Sequence, residues 1–345
     1  MGAFPSYDAF LLVSFGGPEK AEDVMPFLEN VTRGRNVPRD RLLEVADHYY
    51  HFGGRSPINE QCRELKAAIE QELSEHGLRL PVYWGNRNWH PLLPDTLRQM
   101  RADGVTRALA FMTSAYSSYS SCRQYRENVK AAQEVVGDGA PEVDKLRAFY
   151  NHPHYVEAAV AEVRKAFELI PAESRASAEL VFTAHSIPCS MAATSDYEKQ
   201  LRETCRLVAH ELQIDEYRLV FQSRSGAPNQ GWLEPDILDY LRTLPERGLT
   251  DVVIAPIGFI SDHMEVLYDL DTAAKELAAE LKLNVVRAAT VGTHPMFIRM
   301  VRELVEERMN LNLPKLSIGQ FGPNHDVCGA HCCPPPARPG DRPRG

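Results

Sequence analysis

The stretch Phe10-Leu-Leu-Val-Ser-Phe-Gly-Gly-Pro18 decides how this chain folds, because its pattern returns half a chain later as Leu180-Val-Phe-Thr-Ala-His-Ser-Ile-Pro188. Each is an apolar strand that ends in a loop of small residues closed by proline. Ala108–Tyr116 and Val253–Ser261 form a second similar pair. Chance similarity of short apolar runs is the alternative explanation. The repetition predicts two similar halves that face each other across a cleft.

Strands and helices alternate along the whole chain. Amphipathic segments of helical period lie between the apolar runs, for example Glu60–Glu75 and Asp196–Leu212, and Pro295–Leu311 is predicted as the last helix. This alternation favours parallel sheets with helices on both faces, which place ligands at the carboxyl ends of the strands. The predicted strands are 9–15, 81–84, 108–113, 179–184, 217–222, 251–257 and 284–288.

The length of 345 residues is enough for two domains, at about 150 residues each. We predict an N-terminal half over 8–145 and a C-terminal half with its closing helix over 146–312. Residues 313–345 form a cysteine-rich and proline-rich tail that belongs to neither core, because its last dozen residues are too polar and too rich in proline to pack.

The charge balance narrows the classes of ligand. Lys and Arg total 38 against 47 for Asp and Glu, so the formal charge of −9 gives no general attraction for nucleic acid or anionic lipid. An anionic ligand therefore needs a local basic patch. Residues 32–41 offer one, because guanidinium groups pair well with carboxylates, although a solvated loop and helix start has the same composition. The arginines are Arg33, Arg35, Arg39 and Arg41.

The sequence does not suggest a membrane span or a secretory signal. No apolar stretch approaches the ~20 residues of a membrane span, and the N-terminus lacks the basic lead of a secretory signal. No P-loop motif occurs, so nucleotide binding loses its main support. We expect a cytoplasmic protein without stable membrane insertion.

Two segments after predicted strands carry titratable residues. If a helix begins near Ser261, Glu265 and Asp269 lie four residues apart on one face and point back toward the cleft. They suit a metal or proton site, or they are the acidic first turns of a capped helix. His185 directly follows another strand, where an imidazole titrates or binds metal near neutral pH unless its role is structural.

The seven cysteines do not suggest a disulfide framework, because their number is odd and four are scattered. Cys328, Cys332 and Cys333 crowd into the tail. Three thiolates do not complete a four-thiolate cluster, so a fourth must come from the body, and Cys122 lies in a polar loop able to supply it. A zinc site that uses a nearby histidine is the rival, and an unliganded tail is the third possibility.

Several motifs together resemble those of the ferrochelatases, especially the soluble bacterial branch regarded as coproporphyrin ferrochelatases. The likeness runs in order over roughly residues 8–310. It implies two Rossmann-like domains with parallel sheets flanked by helices, the α/β chelatase fold, with a porphyrin in the cleft between them. The motifs are 11–18, Gly53-Gly-Arg-Ser56-Pro57, 182–188, Gln222-Ser223 with Gly231-Trp232-Leu233-Glu-Pro235, and 256–269.

The resemblance also implies an activity and its residues. A coproporphyrin ferrochelatase inserts ferrous iron into coproporphyrin III and forms Fe-coproporphyrin III, or coproheme, in heme biosynthesis. His185 and Glu265 would face each other across the macrocycle and handle the metal and the two pyrrole protons, with Asp269 behind Glu265. Which of the two is mainly base and which mainly ligand stays open. Porphyrin contacts would come from Phe15, Arg33, His48, Tyr49, Ser56 and Tyr125.

This chain departs from the pattern at three positions. Phe15 stands where relatives of the soluble branch have a tyrosine that coordinates product iron, and a phenyl ring has no ligand atom. His48 replaces an arginine of some relatives, which removes a permanent charge. Ala273 stands where some relatives have a third acidic residue, so the acidic row that continues from Glu265 is shorter here.

The tail resembles that of a subset of ferrochelatases with a [2Fe-2S] cluster. These proteins use one internal and three C-terminal cysteines, which implies Cys122, Cys328, Cys332 and Cys333 as ligands. The alternatives to a coproporphyrin enzyme are a ferrochelatase that makes protoheme from protoporphyrin IX, a non-catalytic heme or iron carrier on the same fold, and a cobalt chelatase of corrin synthesis. We expect a monomer that contacts neighbouring heme-pathway enzymes only transiently.

Overall fold

The computed structural model describes residues 6–34, 37–225 and 230–335. Within these ranges the chain forms two four-stranded sheets in which every strand pair is parallel. Arg35 of the predicted basic patch and the last ten residues of the predicted tail lie outside the described residues. The strands are β1 (Ala9–Ser14), β2 (Val82–Asn86), β3 (Arg107–Met112), β4 (Glu142–Lys145), β5 (Glu179–His185), β6 (Tyr217–Gln222), β7 (Asp251–Ala255) and β8 (Asn284–Arg287).

The two sheets have the same strand order, which is β2-β1-β3-β4 in the first and β6-β5-β7-β8 in the second. The segments that repeat in sequence therefore occupy equivalent places, since β1 matches β5 and β3 matches β7. All six residues of β1 and all five of β7 are buried. Such continuous apolar strands are typical of parallel sheets covered on both faces.

Helices cover the faces of both sheets. Their apolar residues recur at helical spacing, as in the third helix, where Ile58, Cys62, Leu65, Ile69 and Leu73 are buried. The helices of the described chain are α1 (Val24–Val31), α2 (Arg39–His51), α3 (Ile58–Glu75), α4 (Leu93–Ala102), α5 (Gln124–Val136), α6 (Pro153–Glu168), α7 (Cys189–Ala192), α8 (Tyr197–Glu211), α9 (Ile237–Thr243), α10 (Met264–Val266), α11 (Ala274–Leu281) and α12 (Pro295–Met309), with π-helices at Tyr119–Arg123 and Leu267–Ala273 and 3₁₀ turns at Ala21–Asp23, Arg175–Ser177 and Pro245–Arg247.

One large core joins the halves. It contains Phe10 and Phe111 of the first sheet together with Phe182 and Val253 of the second. Helix α12 packs against α6 and also against α3, so the last helix contacts the N-terminal half. A separate small cluster holds α1 and α2 together at the side of the first sheet. None of the described helices is both long and apolar enough to cross a membrane.

The described part of the tail packs on the body, which corrects the expectation that residues 313–345 belong to neither core. Ile318 and Phe321 contact the large core. Their backbone is held by buried polar side chains, since the Asn151 Nδ2 donates to the Phe321 carbonyl over 2.8 Å and Arg147 Nη2 donates to the Leu316 carbonyl over 2.7 Å. The tail thus follows the surface of the molecule as far as its cysteines.

Candidate functional site

Two predicted residues meet where neighbouring strands of the second sheet end. His185 is the last residue of β5, and Glu265 lies in α10, which follows the adjacent strand β7. The His185 Nε2 is 3.6 Å from a Glu265 carboxylate oxygen. The site therefore lies at the carboxyl edge of a parallel sheet, where such folds bind ligands.

Close packing behind the pair depends on a glycine. A Cβ at Gly258 would lie 2.6 Å from the Cα of Ala184, so only glycine lets the loop after β7 pass this close to the end of β5. The Gly258 N–H donates to the Thr183 carbonyl over 3.0 Å. The Tyr197 hydroxyl in turn donates to the His185 carbonyl over 2.9 Å, which holds the strand end from the other side.

The helix that carries Glu265 differs from the expected one. It begins at Met264 rather than near Ser261, because the His263 Nδ1 accepts the Glu265 N–H and caps it. It widens into a π-helix from Leu267 to Ala273, an arrangement often found at functional sites. Asp269 follows Glu265 within this widened segment. Its carboxylate accepts a hydrogen bond from the Ser223 hydroxyl and one from Gln222 Nε2 at 3.4 Å.

The charges of the site are coupled. The surrounding protein removes water from Glu265, which opposes ionisation, but the attraction and hydrogen bond of His185 lower the pKa of the carboxyl to about 2. The same pair raises the pKa of the His185 imidazole, because Glu265 outweighs the burial that would lower it. At neutral pH Glu265 is therefore ionised, and its negative charge favours the protonated form of His185.

Asp269 has the opposite bias. Burial raises the pKa of this carboxyl to about 6, against the hydrogen bond from Ser223. The negative charge of Glu265 raises it further. Asp269 thus exchanges its proton near neutral pH while Glu265 stays ionised, and neighbouring carboxyls with separated pKa values are typical of proton-transfer sites.

One residue of the site was not predicted. The Nδ1 of His263 lies 3.9 Å from the Glu265 carboxylate, and the ring packs edge-on against Phe259. Burial lowers the pKa of this imidazole, so it stays neutral. Its place two residues before Glu265 in the quoted 256–269 motif was the available signal. The hydrogen bonds from Gln222 and Ser223 to Asp269 were not predicted either.

The N-terminal half supplies an aromatic wall. Phe15 and Tyr49 both pack edge-on against Phe27, and the Arg87 guanidinium lies over the rings of Phe15 and Tyr125. Burial raises the pKa of the Tyr49 hydroxyl, and the negative charge of the Glu265 carboxylate raises it further.

The remaining predicted porphyrin contacts have different surroundings. The His48 ring stacks on Tyr268 of the π-helix with centroids 3.5 Å apart, so this contact bridges the two halves. Ser56 is buried behind Gly17, and its N–H donates to the Pro18 carbonyl. Arg33 is exposed, whereas Arg39 and Arg41 pair with Glu29 and Glu44 at 3.6 and 2.6 Å.

A second group of potential ligands lies where the tail meets the first π-helix. The Cys332 sulfur is 3.8 Å from the Cys333 sulfur and 3.8 Å from His325 Nε2. Cys328 completes a set with His325 and Cys332 whose ligand atoms all lie within 4.8 Å of one another. A hydrogen bond with Cys122 lowers the pKa of the Cys328 thiol to about 4.

The donor set fits a metal group. The charges of Lys145 and Arg126 act on these sulfurs, and the buried Arg126 Nη1 has no hydrogen-bond partner in the part of the chain that the structure describes. A cation beside clustered thiols suits thiolates, and an orphaned N–H suits a sulfur acceptor. Four cysteines match a cluster of two irons, and His325 with three cysteines matches zinc. The chemistry of the residues fits both groups.

Comparisons with known proteins agree with one another. The sequence model of the ferrochelatase family matches residues 7–309. The chain is 56% identical to the ferrochelatase of Rhodopirellula baltica, over 96% of this chain and 95% of that protein. It is 49% identical to the coproporphyrin III ferrochelatase of Nocardia farcinica (96% and 98%) and 51% identical to that of Streptomyces griseus (95% and 93%). The structure of SirB from Bacillus subtilis with Fe³⁺ superposes with a TM-score of 0.55 and 13% identity, over 89% and 97% of the chains, which shows the fold alone.

Proposed function

This chain belongs to the ferrochelatase family, a family of metal-inserting lyases, and we propose that it inserts ferrous iron into coproporphyrin III to form coproheme. The observation that carries the proposal is the His185–Glu265 pair at 3.6 Å, with Asp269 behind it, at the carboxyl edge of the second sheet. Tyr49 of the aromatic wall lies near enough to Glu265 for that carboxylate to raise the pKa of its hydroxyl.

Two protons must leave the porphyrin when Fe²⁺ replaces them. Glu265 is ionised and attracts the dication, while His185 in its neutral form offers a ring nitrogen as a ligand for iron or as a base for a pyrrole proton. Asp269 can take the second proton, because its pKa of about 6 is close to the working pH. We assign the metal and the protons to His185 and Glu265 jointly, with Asp269 as their support.

The wall that receives the macrocycle is mainly aromatic. Phe15 and Tyr49 offer apolar area to the ring system, whereas Tyr125 is buried beneath the Arg87 guanidinium, which also lies over Phe15. We keep Ser56 and His48 as proposed contacts, although His48 must leave Tyr268 to make one. Phe15 carries no ligand atom, so product iron takes its axial ligand elsewhere or has none.

Coproporphyrin III is the substrate that suits the mouth of the cleft. Its four propionates need cations, and the N-terminal half offers three exposed arginines, Arg33 and, at the start of α2, Arg39 and Arg41. The ion pairs of Arg39 and Arg41 are exposed pairs of the kind worth little, so their guanidinium groups can turn to a propionate. The Nocardia and Streptomyces relatives carry the name of this activity.

The test of substrate is an anaerobic steady-state assay with Fe²⁺ that offers both porphyrins. We expect a higher kcat/KM for coproporphyrin III, and a higher value for protoporphyrin IX would overturn the substrate assignment. His185→Ala and Glu265→Gln should each abolish most of the insertion. His210→Ala is the matched control, because the exposed His210 pairs with Glu211 at the same 3.6 Å but lies on helix α8.

For the second site we propose a [2Fe-2S] cluster held by Cys122, Cys328, Cys332 and Cys333. Thiolate ligands fit the low pKa of Cys328, and Arg126 supplies a cation and a free N–H beside it. The bound cluster would add a redox-active centre, which the insertion reaction itself does not require. Arg123 helps to hold the ligands in place, since its Nη1 donates to the Ala330 carbonyl over 3.1 Å.

The cluster has its own test. Freshly purified protein should show charge-transfer absorption in the visible range and contain iron and sulfide, and Cys332→Ser should lose both. Cys189→Ser, an exposed cysteine elsewhere, is the control. Cys122→Ser and His325→Ala separate the two metals: loss of metal only in Cys122→Ser supports the cluster, whereas zinc that survives Cys122→Ser but not His325→Ala supports the rival site.

The state of the cysteines supports a proposal for the cellular setting. All seven cysteines are free, which is typical of a reducing compartment such as the cytoplasm. That the chain is a monomer, and that it meets neighbouring enzymes of heme synthesis only transiently, stays a prediction.

A further inference from the structure

Arg287 bridges two carboxylates beside the catalytic pair. It is the last residue of β8 and its side chain is only 14% exposed. Its Nη1 and Nη2 donate to the two oxygens of Asp262 over 3.1 and 3.2 Å. Its Nε donates to Asp271 over 3.0 Å and its Nη2 lies 2.8 Å from the same carboxylate. Paired bonds from one guanidinium fix geometry as well as charge.

The two carboxylates flank Glu265 along the chain. Asp262 lies in the loop after β7, three residues before Glu265, and Asp271 lies inside the π-helix, six residues after it. Asp262 has further anchors, since its N–H donates to Gln61 Oε1 of helix α3 over 2.8 Å and its carboxylate accepts from Thr290. Asp271 also binds Lys275 at 2.9 Å. Arg287 therefore closes a ring around the segment that carries Glu265.

Glu265 needs support from outside its own helix. It sits in a helix of three residues that turns directly into a π-helix, and its side chain is 47% exposed. Such a segment has few backbone bonds of its own to keep the carboxylate at 3.6 Å from His185. Catalytic constellations lose rate when a group moves by about 1 Å.

We propose that Arg287 is a positioning residue for Glu265. By joining Asp262 to Asp271 it holds the loop and the π-helix in the register that points Glu265 at His185. Together with Lys275 it balances the charge of the outer two of the four carboxylates in 262–271, so that Glu265 and Asp269 are the ones left to meet the incoming cation. The inference rests on the proposed role of Glu265.

The test compares Arg287→Gln with Arg302→Gln. Arg302 is a matched control because it is 13% exposed and also bridges two carboxylates, Glu72 and Glu306, but it does so between α12 and α3. Kinetics are measured with Fe²⁺ and porphyrin at equal folded fraction, together with the Tm of each variant. We expect the Tm to fall in both variants. Only in Arg287→Gln should kcat fall, by about 10–100-fold, as for other residues that orient a ligand. The KM for porphyrin should stay unchanged.

Arg287→Lys keeps the charge but not the paired bonds, so its kcat should lie between those of wild type and Arg287→Gln, and it serves if the glutamine variant does not fold. The proposal would be overturned if Arg287→Gln kept the wild-type kcat, or if kcat fell equally in Arg287→Gln and Arg302→Gln. Glu265→Gln is measured in the same series. If it keeps wild-type kcat, the role of Glu265 and the clamp are both wrong. If it is inactive while Arg287→Gln is normal, only the clamp is wrong.

Discussion

The ion pair between Arg147 and Glu307 predicts a large loss of stability when it is broken. The Arg147 side chain is 1% exposed and that of Glu307 is 6% exposed, with two hydrogen bonds of 2.9 and 3.0 Å between them. Both residues also hold the tail, because Arg147 donates to the Leu316 carbonyl and Glu307 accepts the Leu316 N–H over 2.8 Å. Glu307→Gln would leave a buried guanidinium without its counter-charge.

The size of the effect follows from that burial. Removing one partner of a buried pair costs about 3–5 kcal/mol, because the remaining charge is neither paired nor hydrated. This is a large part of the 5–15 kcal/mol that stabilises a typical domain. Glu306→Gln is the matched control, since Glu306 lies next in the chain, is 31% exposed and pairs with Arg302. We expect it to lose no more than about 1 kcal/mol.

Urea unfolding of the full chain, followed by circular dichroism, measures both variants. Arg147→Met combined with Glu307→Leu should recover much of the loss, because it removes the uncompensated charge as well as the pair. Limited proteolysis should cut Glu307→Gln between residues 313 and 321 faster than wild type. A Glu307→Gln protein within about 1 kcal/mol of wild type would refute the reasoning that the pair is shielded from water.

Three further predictions concern single side chains. Burial, with the charge of Arg147, lowers the pKa of His152 to about 2, so below pH 6.5 the unfolded chain binds a proton that the folded chain does not. The free energy of unfolding should therefore fall by about 3 kcal/mol between pH 7.5 and 4.5. His152→Asn, which keeps the helix cap, should flatten that slope, and an unchanged slope would contradict the assignment. Because burial raises the pKa of Asp269 to about 6, the ionised carboxylate lowers the stability of the fold above that pH. Asp269→Asn should therefore be up to about 3 kcal/mol more stable than wild type at pH 7.5, no more stable below pH 4, and slower in iron insertion. A difference in stability that persists at low pH would show another cause. His48→Ala removes the stack on Tyr268, worth about 0.5–1.5 kcal/mol, and stopped-flow mixing should show porphyrin binding up to about tenfold faster, whereas slower binding would show that His48 is mainly a substrate contact.

Much of the fold was predictable because a buried strand appears in the sequence as a run of apolar residues. Seven of the eight strands coincide with predicted apolar runs, and α3, α8 and α12 begin and end within two residues of the predicted helices. The strand β4 was missed, since Glu142-Val-Asp-Lys145 lies at a sheet edge and three of its four residues are charged. The expectation that the tail belongs to neither core does not hold for Ile318 and Phe321, because the composition of the last residues, on which it rested, says nothing about these two.

The functional site was also predictable only in part. His185 and Glu265 stand beside apolar strands, so their place at strand ends was visible in the chain itself. Gln222 and Ser223, which bond Asp269, end a different strand, and nothing in local sequence links them to that carboxylate. The pairing of His48 with Tyr268 and of Arg287 with Asp262 is likewise invisible until the elements are packed.

The sequence by itself determined that two similar α/β halves form, that polar residues cluster after their strands, and which cysteines are available to a metal. These properties depend on local hydrophobic period, residue type and repetition. The tertiary structure alone decided which carboxyl stays ionised and which one titrates near pH 6, where the π-helix begins, and how the tail reaches Cys122. Those outcomes depend on burial and on distances of a few ångströms between residues far apart in the chain, and Coulomb and desolvation energies change steeply over such distances.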